Sequence, residues 1–401
     1  MRLTRCREQG AVGDFEFRAP TRLVVGPGSV GRIGELAREL GASRVLVVSD
    51  PGIVEAGHTA AGIESLEESG LATAMFSSFT ENPSSREVEA GAAFAREFRP
   101  DLLVGLGGGS SMDCAKGINF LVSRGGRMQD YKGRGTATGP MLPSIAVPTT
   151  AGTGSETQSF ALITDDETGL KMACGDPRAA FRVAILDVNL TLTQPLSLVA
   201  LTGIDAVSHA VESHVSRAAT PASRLFSREA WRLLAGSLPG VFVDGGTIAA
   251  RSAVQFGATL AGLAIENAML GAAHALANPL TAAHGIVHGQ AVGVMLPHVV
   301  RFNGAAPQGR ASGADACGAG YAQLLGDIGI HASSAAAGDA LADWLADLLA
   351  ASTLKTSLAA CGCRSPDITA LATAAAGQWT AGFNPRGVAA TELATLYEAA
   401  R

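Results

Sequence analysis

The stretch Asp101-Leu-Leu-Val-Gly-Leu-Gly-Gly-Gly-Ser-Ser-Met-Asp-Cys-Ala-Lys116 joins an apolar run to a glycine-rich turn and then to a helical pattern. The apolar run predicts a buried parallel strand, and the residues after the turn predict a helix. Gly107, Gly108 and Gly109 let the backbone approach a ligand closely, and free N–H groups at the helix start favour a phosphate. Ser110 stands at the last glycine position, so the loop is neither a Walker A nor a G-x-G-x-x-G sequence. It predicts a phosphate-binding turn, with a tight turn that binds nothing as the alternative.

The first half of the sequence alternates apolar runs with amphipathic ones. Runs that predict buried strands occupy 44–50, 101–107 and 144–148, and helical patterns occupy about 29–41, 55–70, 85–98 and 111–124. This alternation predicts βαβ units, with helices packed on a mostly parallel sheet.

The second half has a different pattern. Strand signals stop near 187–195, and from about 196 the sequence is rich in alanine and nearly all helical in pattern. We therefore expect an α/β domain at 1–195 and an all-helical domain at 196–401. Within the second, 304–319 predicts a loop or a weak helix.

Composition limits the function classes. The sequence has 401 residues, 47% of them hydrophobic and 16% charged, which is typical of a packed protein large enough for two domains. The net charge is −6, and scattered Lys and Arg argue against a nucleic-acid or anionic-membrane surface. We find no apolar run of transmembrane length and no apolar signal core at the N-terminus. The six Cys form no C-x-x-C pair, so we expect reduced thiols and a cytoplasmic protein.

Four residues in the second half have the chemistry of metal ligands. Asp205 and His209 lie four positions apart in a helical run, so one helix face can present both. His274 and His288 follow in segments rich in Ala, Gly and Leu, where an unpaired imidazole is costly. An Asp-x-x-x-His pair by itself is a weak signal. Three imidazoles and one carboxylate without a thiolate suit iron, zinc or nickel, so the sequence predicts a metalloenzyme.

Two further segments of the first half suit a nucleotide. Pro148-Thr-Thr-Ala-Gly-Thr-Gly-Ser-Glu156 follows a predicted strand, and the hydroxyls of Thr149, Thr150 and Thr153 can bind phosphate or ribose. Asp50 ends the strand that starts at 44. A carboxylate there can accept hydrogen bonds from ribose hydroxyls and repel a 2′-phosphate, which favours NAD over NADP. Both segments are also common turn sequences.

Taken together, these motifs resemble those of the iron-containing (group III) alcohol dehydrogenases over nearly the whole length. The cofactor-side signatures are 107–116 and 148–156. The metal-side signatures are Thr202-Gly-Ile-Asp-Ala-Val-Ser-His-Ala-Val-Glu212 and the segment from His274 through His288 to Leu296-Pro-His-Val-Val-Arg-Phe-Asn303. Asn384-Pro-Arg386 also matches.

The resemblance implies the dehydroquinate synthase-like, iron-dependent alcohol dehydrogenase fold: an N-terminal NAD(P)-binding α/β domain and a C-terminal helical metal domain, with the active site between them. By motif matching, Asp205, His209, His274 and His288 become the ligands of a divalent metal, Fe²⁺ first, with Zn²⁺ or Ni²⁺ as alternatives. The implied contacts of NAD(H) are Ser49-Asp50, Asn82, Gly107, Gly108, Gly109, Ser110, Asp113, Thr149, Thr150, Thr153, Lys171 and Leu190. Asp113 is also expected to reach the nicotinamide and the substrate.

One position departs from the family. The family often has a His four residues after the third ligand as a proton carrier, and this sequence has Asn278, which does not titrate. His284 becomes the candidate catalytic proton carrier, with a solvent-facing loop His as the alternative.

The expected reaction is hydride transfer between nicotinamide C4 and a metal-bound small alcohol or aldehyde. The alternatives are a glycerol dehydrogenase-like polyol oxidoreductase, a maleylacetate reductase, a dehydroquinate synthase-like lyase and a non-catalytic sensor that binds metal or nucleotide. Phe160, Phe256 and Phe383 are candidates for an apolar pocket lining, although core packing explains them equally well. The resemblance also favours a homodimer or a higher homo-oligomer.

Overall fold

A computed structural model describes residues 13–305, 314–363 and 367–401. The strands are β1 (Arg22–Val25), β2 (Arg44–Val48), β3 (Ala72–Phe76), β4 (Leu102–Gly107), β5 (Gly133–Arg134), β6 (Ser144–Pro148), β7 (Phe160–Thr164), β8 (Lys171–Gly175) and β9 (Val183–Leu186). The helices are α1 (Ile33–Glu39), α2 (Pro51–Glu55), α3 (His58–Glu68), α4 (Ser85–Phe98), α5 (Gly109–Arg124), α6 (Leu196–Val215), α7 (Pro221–Asp244), α8 (Ile248–Ala268), α9 (Ala272–His284), α10 (His288–Gly304), α11 (Ala314–Asp327), α12 (Ala337–Ala351), α13 (Ile368–Ala376) and α14 (Ala390–Ala399).

The first half is built on a six-stranded parallel sheet in the order β1-β9-β6-β4-β2-β3. Because successive side chains of a strand point to opposite faces, β2 contributes to two cores. Val45 and Val47 pack on one face with Leu36 of α1. Leu46 and Val48 pack on the other, where α4 and α5 lie. Both faces of the sheet are therefore covered by helices, which explains why its strands read as continuous apolar runs.

A second sheet of three strands, β5-β8-β7, has β7 antiparallel to β8 and β5 parallel to it. Ile163 of β7 and Met172 of β8 belong to the same core as α5. The small sheet, which carries Phe160 and Lys171, therefore packs on α5. The sequence did not predict this small sheet, since its strands are short and interrupted by turn residues.

The second half is all helical. Its core contains Trp231, Leu234, Leu276 and Met295, and the Trp231 indole donates to the backbone oxygen of Leu324 at 2.7 Å. Among the described residues, α8 is the one helix long and apolar enough to cross a membrane by length and composition. Two thirds of its most apolar window, 67%, is buried inside the protein, as in the core helix of a domain.

The predicted fold class is confirmed, with a parallel sheet and helices in the first half and helices in the second. Two expectations need correction, and a third concerns a stretch that lies partly outside the described residues. The single helix predicted at 55–70 is divided at Gly57, whose φ is 79°, into α2 and α3. The helix predicted at 29–41 begins with a 3-10 turn at Ser29–Arg32 before α1. The stretch 304–319 is helical from Ala314, while 306–313 lies outside the described residues.

Candidate active site

Four predicted metal ligands come together from three helices. Asp205 and His209 lie one turn apart on α6, His274 is the third residue of α9, and His288 is the first residue of α10. Donor atoms of the first three all lie within 4.8 Å of one another, and these side chains are buried. His288 lies on the side of the cluster that is open to solvent, and 34% of its side chain is exposed.

One oxygen is the centre of the cluster. Asp205 Oδ1 lies 3.4 Å from His209 Nε2, 3.5 Å from His274 Nε2 and 3.7 Å from His288 Nε2. This buried oxygen meets no hydrogen-bond donor at bonding geometry among the described residues. A buried carboxylate oxygen left unpaired, facing three imidazole nitrogens, requires an explanation, and a divalent cation between them provides one. The residues therefore fit a metal ion, and the donor set without sulfur suits iron.

Electrostatics agree with a site made for positive charge. The three imidazoles, led by His209, hold the pKa of Asp205 below its usual range although burial opposes this. Burial lowers the pKa of His209, and desolvation lowers that of His288 to about 3. For His274, the neighbouring carboxylates of Glu212 and Asp205 outweigh burial and raise the pKa to about 9. The cluster therefore favours a cation beside the Asp205 carboxylate.

Glu212 of α6 orients His274, and sequence reasoning did not single it out as a site residue. Its Oε2 lies 2.6 Å from His274 Nδ1, and its Oε1 accepts from the backbone N–H of Ala273 at 2.7 Å. With Nδ1 bonded to a carboxylate, the Nε2 atom of His274 faces the cluster. Glu212 closes the quoted segment 202–212, seven residues after Asp205, so two helical turns put both on one side of α6.

The glycine loop lies at the end of β4, where α5 begins. Gly107 has a φ of 148°, and a Cβ there would collide with the Ser111 hydroxyl. A Cβ on Gly108 would lie 3.3 Å from Thr150, and one on Gly109 would lie 2.8 Å from Thr153. The two predicted cofactor loops are thus in contact. α5 has no side-chain cap, so its first N–H groups are available to an anion.

The second loop also joins the two halves of the chain. A Cβ on Gly154 would lie 2.5 Å from the Cα of Gly262 on α8, so backbone packs on backbone there. Thr149 is buried, and its hydroxyl has no hydrogen-bond partner among the described residues. Leu190 is buried as well. An unpartnered buried hydroxyl beside a glycine loop is consistent with a ligand that satisfies it.

Asp50 has structural partners in addition to its predicted ribose role. Its Oδ1 accepts from the backbone N–H of Ile53 and caps α2, and its Oδ2 accepts from the Ser111 hydroxyl at 2.8 Å. A carboxylate has further lone pairs for ribose hydroxyls. The structure therefore places Asp50 beside the glycine loop, as the prediction requires.

Asn82, Ser110 and Lys171 form a connected group next to the same loop. The Asn82 backbone N–H donates to Ser110 Oγ at 3.1 Å, and Lys171 Nζ donates to Asn82 Oδ1 at 2.8 Å. Desolvation lowers the pKa of Lys171, opposed by the negative charges of Asp113 and Asp205. Lys171 therefore links the cofactor-side residues electrostatically to the metal-side cluster.

Asp113 is buried beneath the loop in a network that includes Lys116, which sequence reasoning missed. Asp113 Oδ1 accepts from Ser155 Oγ at 2.8 Å, and Lys116 Nζ donates to the Ser155 hydroxyl and to the backbone oxygens of Ser155 and Phe160. Burial raises the pKa of Asp113 and lowers that of Lys116 to about 8. The sequence could have indicated this pairing, because Asp113 and Lys116 are three positions apart on a predicted helix and so lie one turn from each other.

The structure places Asn278 and His284, the candidate proton carrier, at different distances from the donor cluster. Asn278 lies one turn after His274 on the same helix and donates to Gln378 Oε1 at 3.0 Å. His284 is exposed and is the last residue of α9, ten residues or roughly 15 Å along the helix from His274. Its catalytic role stays a prediction, and the structure does not bring it into the donor cluster.

An aromatic wall connects the two halves. Trp379, which the sequence analysis did not name, has its ring centroid 5.5 Å from that of Phe160 and 6.1 Å from that of Phe383. Phe256, the third predicted lining residue, packs against the helical core instead. Because Trp379 follows Gln378 directly, the wall lies next to Asn278.

Comparisons with known proteins agree with this geometry. Residues 20–188 match the family described as iron-containing alcohol dehydrogenase, and residues 199–401 match the C-terminal family of the Fe-containing alcohol dehydrogenases. The chain belongs to the iron-containing alcohol dehydrogenases.

Several relatives with a described activity align with most of this chain. An NAD-dependent methanol dehydrogenase of Bacillus methanolicus is 36% identical over 287 residues, 72% of this chain and 75% of that protein. The lactaldehyde reductase of Escherichia coli K12 is 30% identical over 94% of this chain and 96% of its own length. The crystal structure of a 1,3-propanediol oxidoreductase superimposes with a TM-score of 0.92 and 31% identity, covering 97% of this chain and all of that one.

This iron-containing alcohol dehydrogenase is therefore an NAD-linked, metal-dependent enzyme that interconverts an alcohol and an aldehyde. The expected cofactors, NAD(H) and a divalent metal, are those of the family, and the buried cluster of Asp205, His209 and His274 agrees with the second. The activities of the relatives favour a dehydrogenase or reductase over the lyase alternative.

Proposed function

We propose that Asp205, His209, His274 and His288 hold the metal ion and that the substrate binds on the open side of this cluster, beside His288. The observation that carries the proposal is the unpaired Asp205 Oδ1, which three imidazole nitrogens face at 3.4 to 3.7 Å. When bound, the ion supplies Lewis acidity that polarises the substrate oxygen.

The cofactor lies along the first half in this proposal. The N–H groups at the start of α5 and the close approach allowed by Gly107, Gly108 and Gly109 hold the pyrophosphate of NAD(H). Asp50 accepts hydrogen bonds from the adenosine ribose. The remaining proposed contacts flank this path: Asn82, Ser110, Asp113, Thr149, Thr150, Thr153, Lys171 and Leu190.

In this proposal, side chains of the enzyme position the reacting carbon and shield it from water. Asp113 lies at the start of α5, and Lys171 is close enough to sense both Asp113 and Asp205. In this proposal the nicotinamide ring lies between the glycine loop and the histidine cluster. Phe160, Trp379 and Phe383 form an apolar wall that limits access of water and favours a small apolar chain on the substrate.

Three broader assignments belong to the same proposal. The chain divides into a cofactor domain at 1–195 and a metal domain at 196–401, supported by the end of the sheet at β9 and the start of α6 at Leu196. The substrate is a small primary alcohol, diol or the corresponding aldehyde. The enzyme acts in the cytoplasm, which the absence of a C-x-x-C pair favours, as a homodimer or higher homo-oligomer, which the family resemblance favours.

One experiment tests the core of the proposal. The protein is purified anaerobically, stripped with a chelator and reconstituted separately with Fe²⁺, Zn²⁺ and Ni²⁺, and NADH and NADPH oxidation are followed with a panel of short aldehydes. We expect about one ion per chain and NADH-dependent reduction restored by one of the ions. Full turnover by the metal-free protein would overturn the proposal.

A further inference from the structure

The start of α9, which carries His274, lacks the usual means of satisfying its backbone. Its N-cap residue is Gly271, which has no side chain to accept from the first N–H groups. These groups are buried, and an unsatisfied buried N–H costs free energy. Two side chains from distant parts of the sequence replace the missing cap.

Glu212 and Asn384 are those side chains. Glu212 Oε1 accepts from the N–H of Ala273, and Asn384 Oδ1 accepts from the N–H of Ala272 at 3.2 Å. A Cβ added at Gly271 would lie 2.8 Å from Glu212 Oε1 and 3.0 Å from Asn384 Oδ1. Because Gly271 has no side chain, both acceptor oxygens can approach the start of α9 closely.

Asn384 is itself held on three sides. Its amide nitrogen donates to Asn303 Oδ1 at 2.8 Å and to the backbone oxygen of Arg386 at 2.6 Å, and its Oδ1 accepts from the Asn303 amide at 3.1 Å. The Arg386 guanidinium donates to the Phe302 oxygen and lies 3.9 Å from the Phe302 ring centroid. This network explains why a segment near the C-terminus, Asn384-Pro-Arg386, bears on the histidine cluster.

We infer that Glu212 and Asn384 are positioning residues for the metal site, acting through the first turn of α9 to fix His274. Glu212 has the larger effect because it bonds both the Ala273 backbone and the His274 ring. Its carboxylate lies behind the His274 ring, so it adds a second buried negative charge near the site although only Asp205 belongs to the donor set. The inference rests on the proposed function, since it assumes that His274 is a ligand.

Glu212→Gln is the decisive variant. Both groups that meet the Glu212 carboxylate are donors, so a Gln amide can satisfy one of them and presents N–H to the other. Glu266→Gln is the matched control, because Glu266 is also a buried carboxylate that accepts from the backbone N–H and the hydroxyl of Ser159, and it lies 3.6 Å from Arg134, so this substitution too removes a buried charge. Asn384→Leu tests the second positioning residue while leaving both carboxylates in place.

The readouts are the Zn²⁺ dissociation constant by competition with a chromophoric chelator, the visible spectrum of the Co²⁺-loaded protein, and the melting temperature of the metal-free protein. We expect Glu212→Gln to weaken Zn²⁺ binding by about 10- to 100-fold and to shift the Co²⁺ spectrum. Asn384→Leu should weaken binding by roughly tenfold. Glu266→Gln should leave the affinity and the spectrum at their wild-type values.

Equal loss of affinity in Glu266→Gln and Glu212→Gln would mean that any buried charge change disturbs the site, and it would overturn the inference. So would wild-type affinity in a folded Glu212→Gln variant. If Glu212→Gln does not fold, Asn384→Leu still decides between loss and retention of affinity. A wild-type protein that binds no Zn²⁺ would overturn the proposed function, which separates that failure from this one.

Discussion

Trp379 packs against Phe160 with ring centroids 5.5 Å apart and ring planes tilted by 40°, so a residue from the end of the helical half covers a strand of the sheet half. Trp379 is 46% exposed although it makes this contact. An exposed aromatic ring held between two parts of a chain, beside an active site, is a natural boundary for the substrate.

Truncating this boundary should change the preferred substrate length. We expect Trp379→Ala to raise kcat/KM for longer primary alcohols relative to ethanol by about tenfold, because each methylene in an apolar pocket contributes roughly 1–3 kcal/mol. Trp379→Phe retains a ring and should keep the wild-type preference. Steady-state kinetics over an alcohol series measures both. An unchanged length profile in Trp379→Ala would remove the ring from the substrate pocket.

Two histidines four positions apart should behave differently. His288→Ala removes a donor at the open side of the cluster, so bound metal and turnover should be lost together. His284→Ala should retain the ion and most of its activity, because His284 is exposed at the opposite end of α9 from His274. Metal analysis and kcat as a function of pH on both variants make the comparison. A large fall in kcat for His284→Ala with the ion in place would restore it as the proton carrier.

The charge of Asp50 should determine the choice of nucleotide. Asp50→Asn keeps an oxygen for the Ile53 N–H at the start of α2 and removes the charge that repels a 2′-phosphate. We expect the ratio of kcat/KM for NADPH to that for NADH to rise by roughly tenfold. Asp367→Asn, at the N-cap of α13, is the control and should not alter this ratio. Strict NADH use by both variants would contradict the assignment.

A methyl group on the glycine loop should block the cofactor and spare the metal. A Cβ on Gly109 would press on Thr153, whereas one on Gly31 would meet no atom within 4 Å. Gly109→Ala should therefore raise the dissociation constant of NADH by at least about tenfold while Zn²⁺ still binds, and Gly31→Ala should bind both normally. Calorimetric titration with each ligand is the measurement. Normal NADH binding by Gly109→Ala would place the pyrophosphate elsewhere.

The parts of the fold that sequence predicted are those with strong local signals. β2, β4 and β6 are buried on both faces and read as apolar runs, and α4 carries a capping box of Ser84 and Glu87. β8 is not predicted because its five residues, Lys171-Met-Ala-Cys-Gly175, include no β-branched or aromatic residue, and its place depends on pairing with β7 across a turn. Local sequence carries little information about such pairing.

The active site shows the same limit, since local sequence does not reveal contacts between distant residues. Asp205, His209, His274 and His288 were named from residue type, and the structure brings their donor atoms together. Glu212 lies within the motif 202–212 and Lys116 within the motif 107–116. Their roles nevertheless depend on partners 61 and 39 positions away. Trp379 meets Phe160 across more than two hundred residues, a contact that no local pattern contains.

His214 should make the stability of the protein depend on pH. It is buried on α6 with its ring 3.0 Å from the Ser227 hydroxyl, and burial, helped by Arg224 and Arg228, lowers its pKa to about 4. Between pH 6.5 and 4 the unfolded chain binds the proton that the folded protein refuses, so the free energy of unfolding should fall as pH falls. The lowering corresponds to roughly 3 kcal/mol.

Urea denaturation of the metal-free protein at several pH values tests this, with His214→Gln as the comparison. The variant should start less stable at pH 7, because it loses packing, and should lose less stability on acidification. Parallel curves for the two proteins would show that another group controls the acid sensitivity.

The cap that Asn384 places on the first turn of α9 has a consequence for biosynthesis. A ribosome makes Asp205 and His288 long before it reaches Asn384, which lies 96 positions after His288. Throughout that interval the turn that bears His274 has one buried N–H without its acceptor. Completion of this turn is therefore a late event in the synthesis of the chain, later than that of all four proposed ligands, and it depends on Asn384 folding back onto α9.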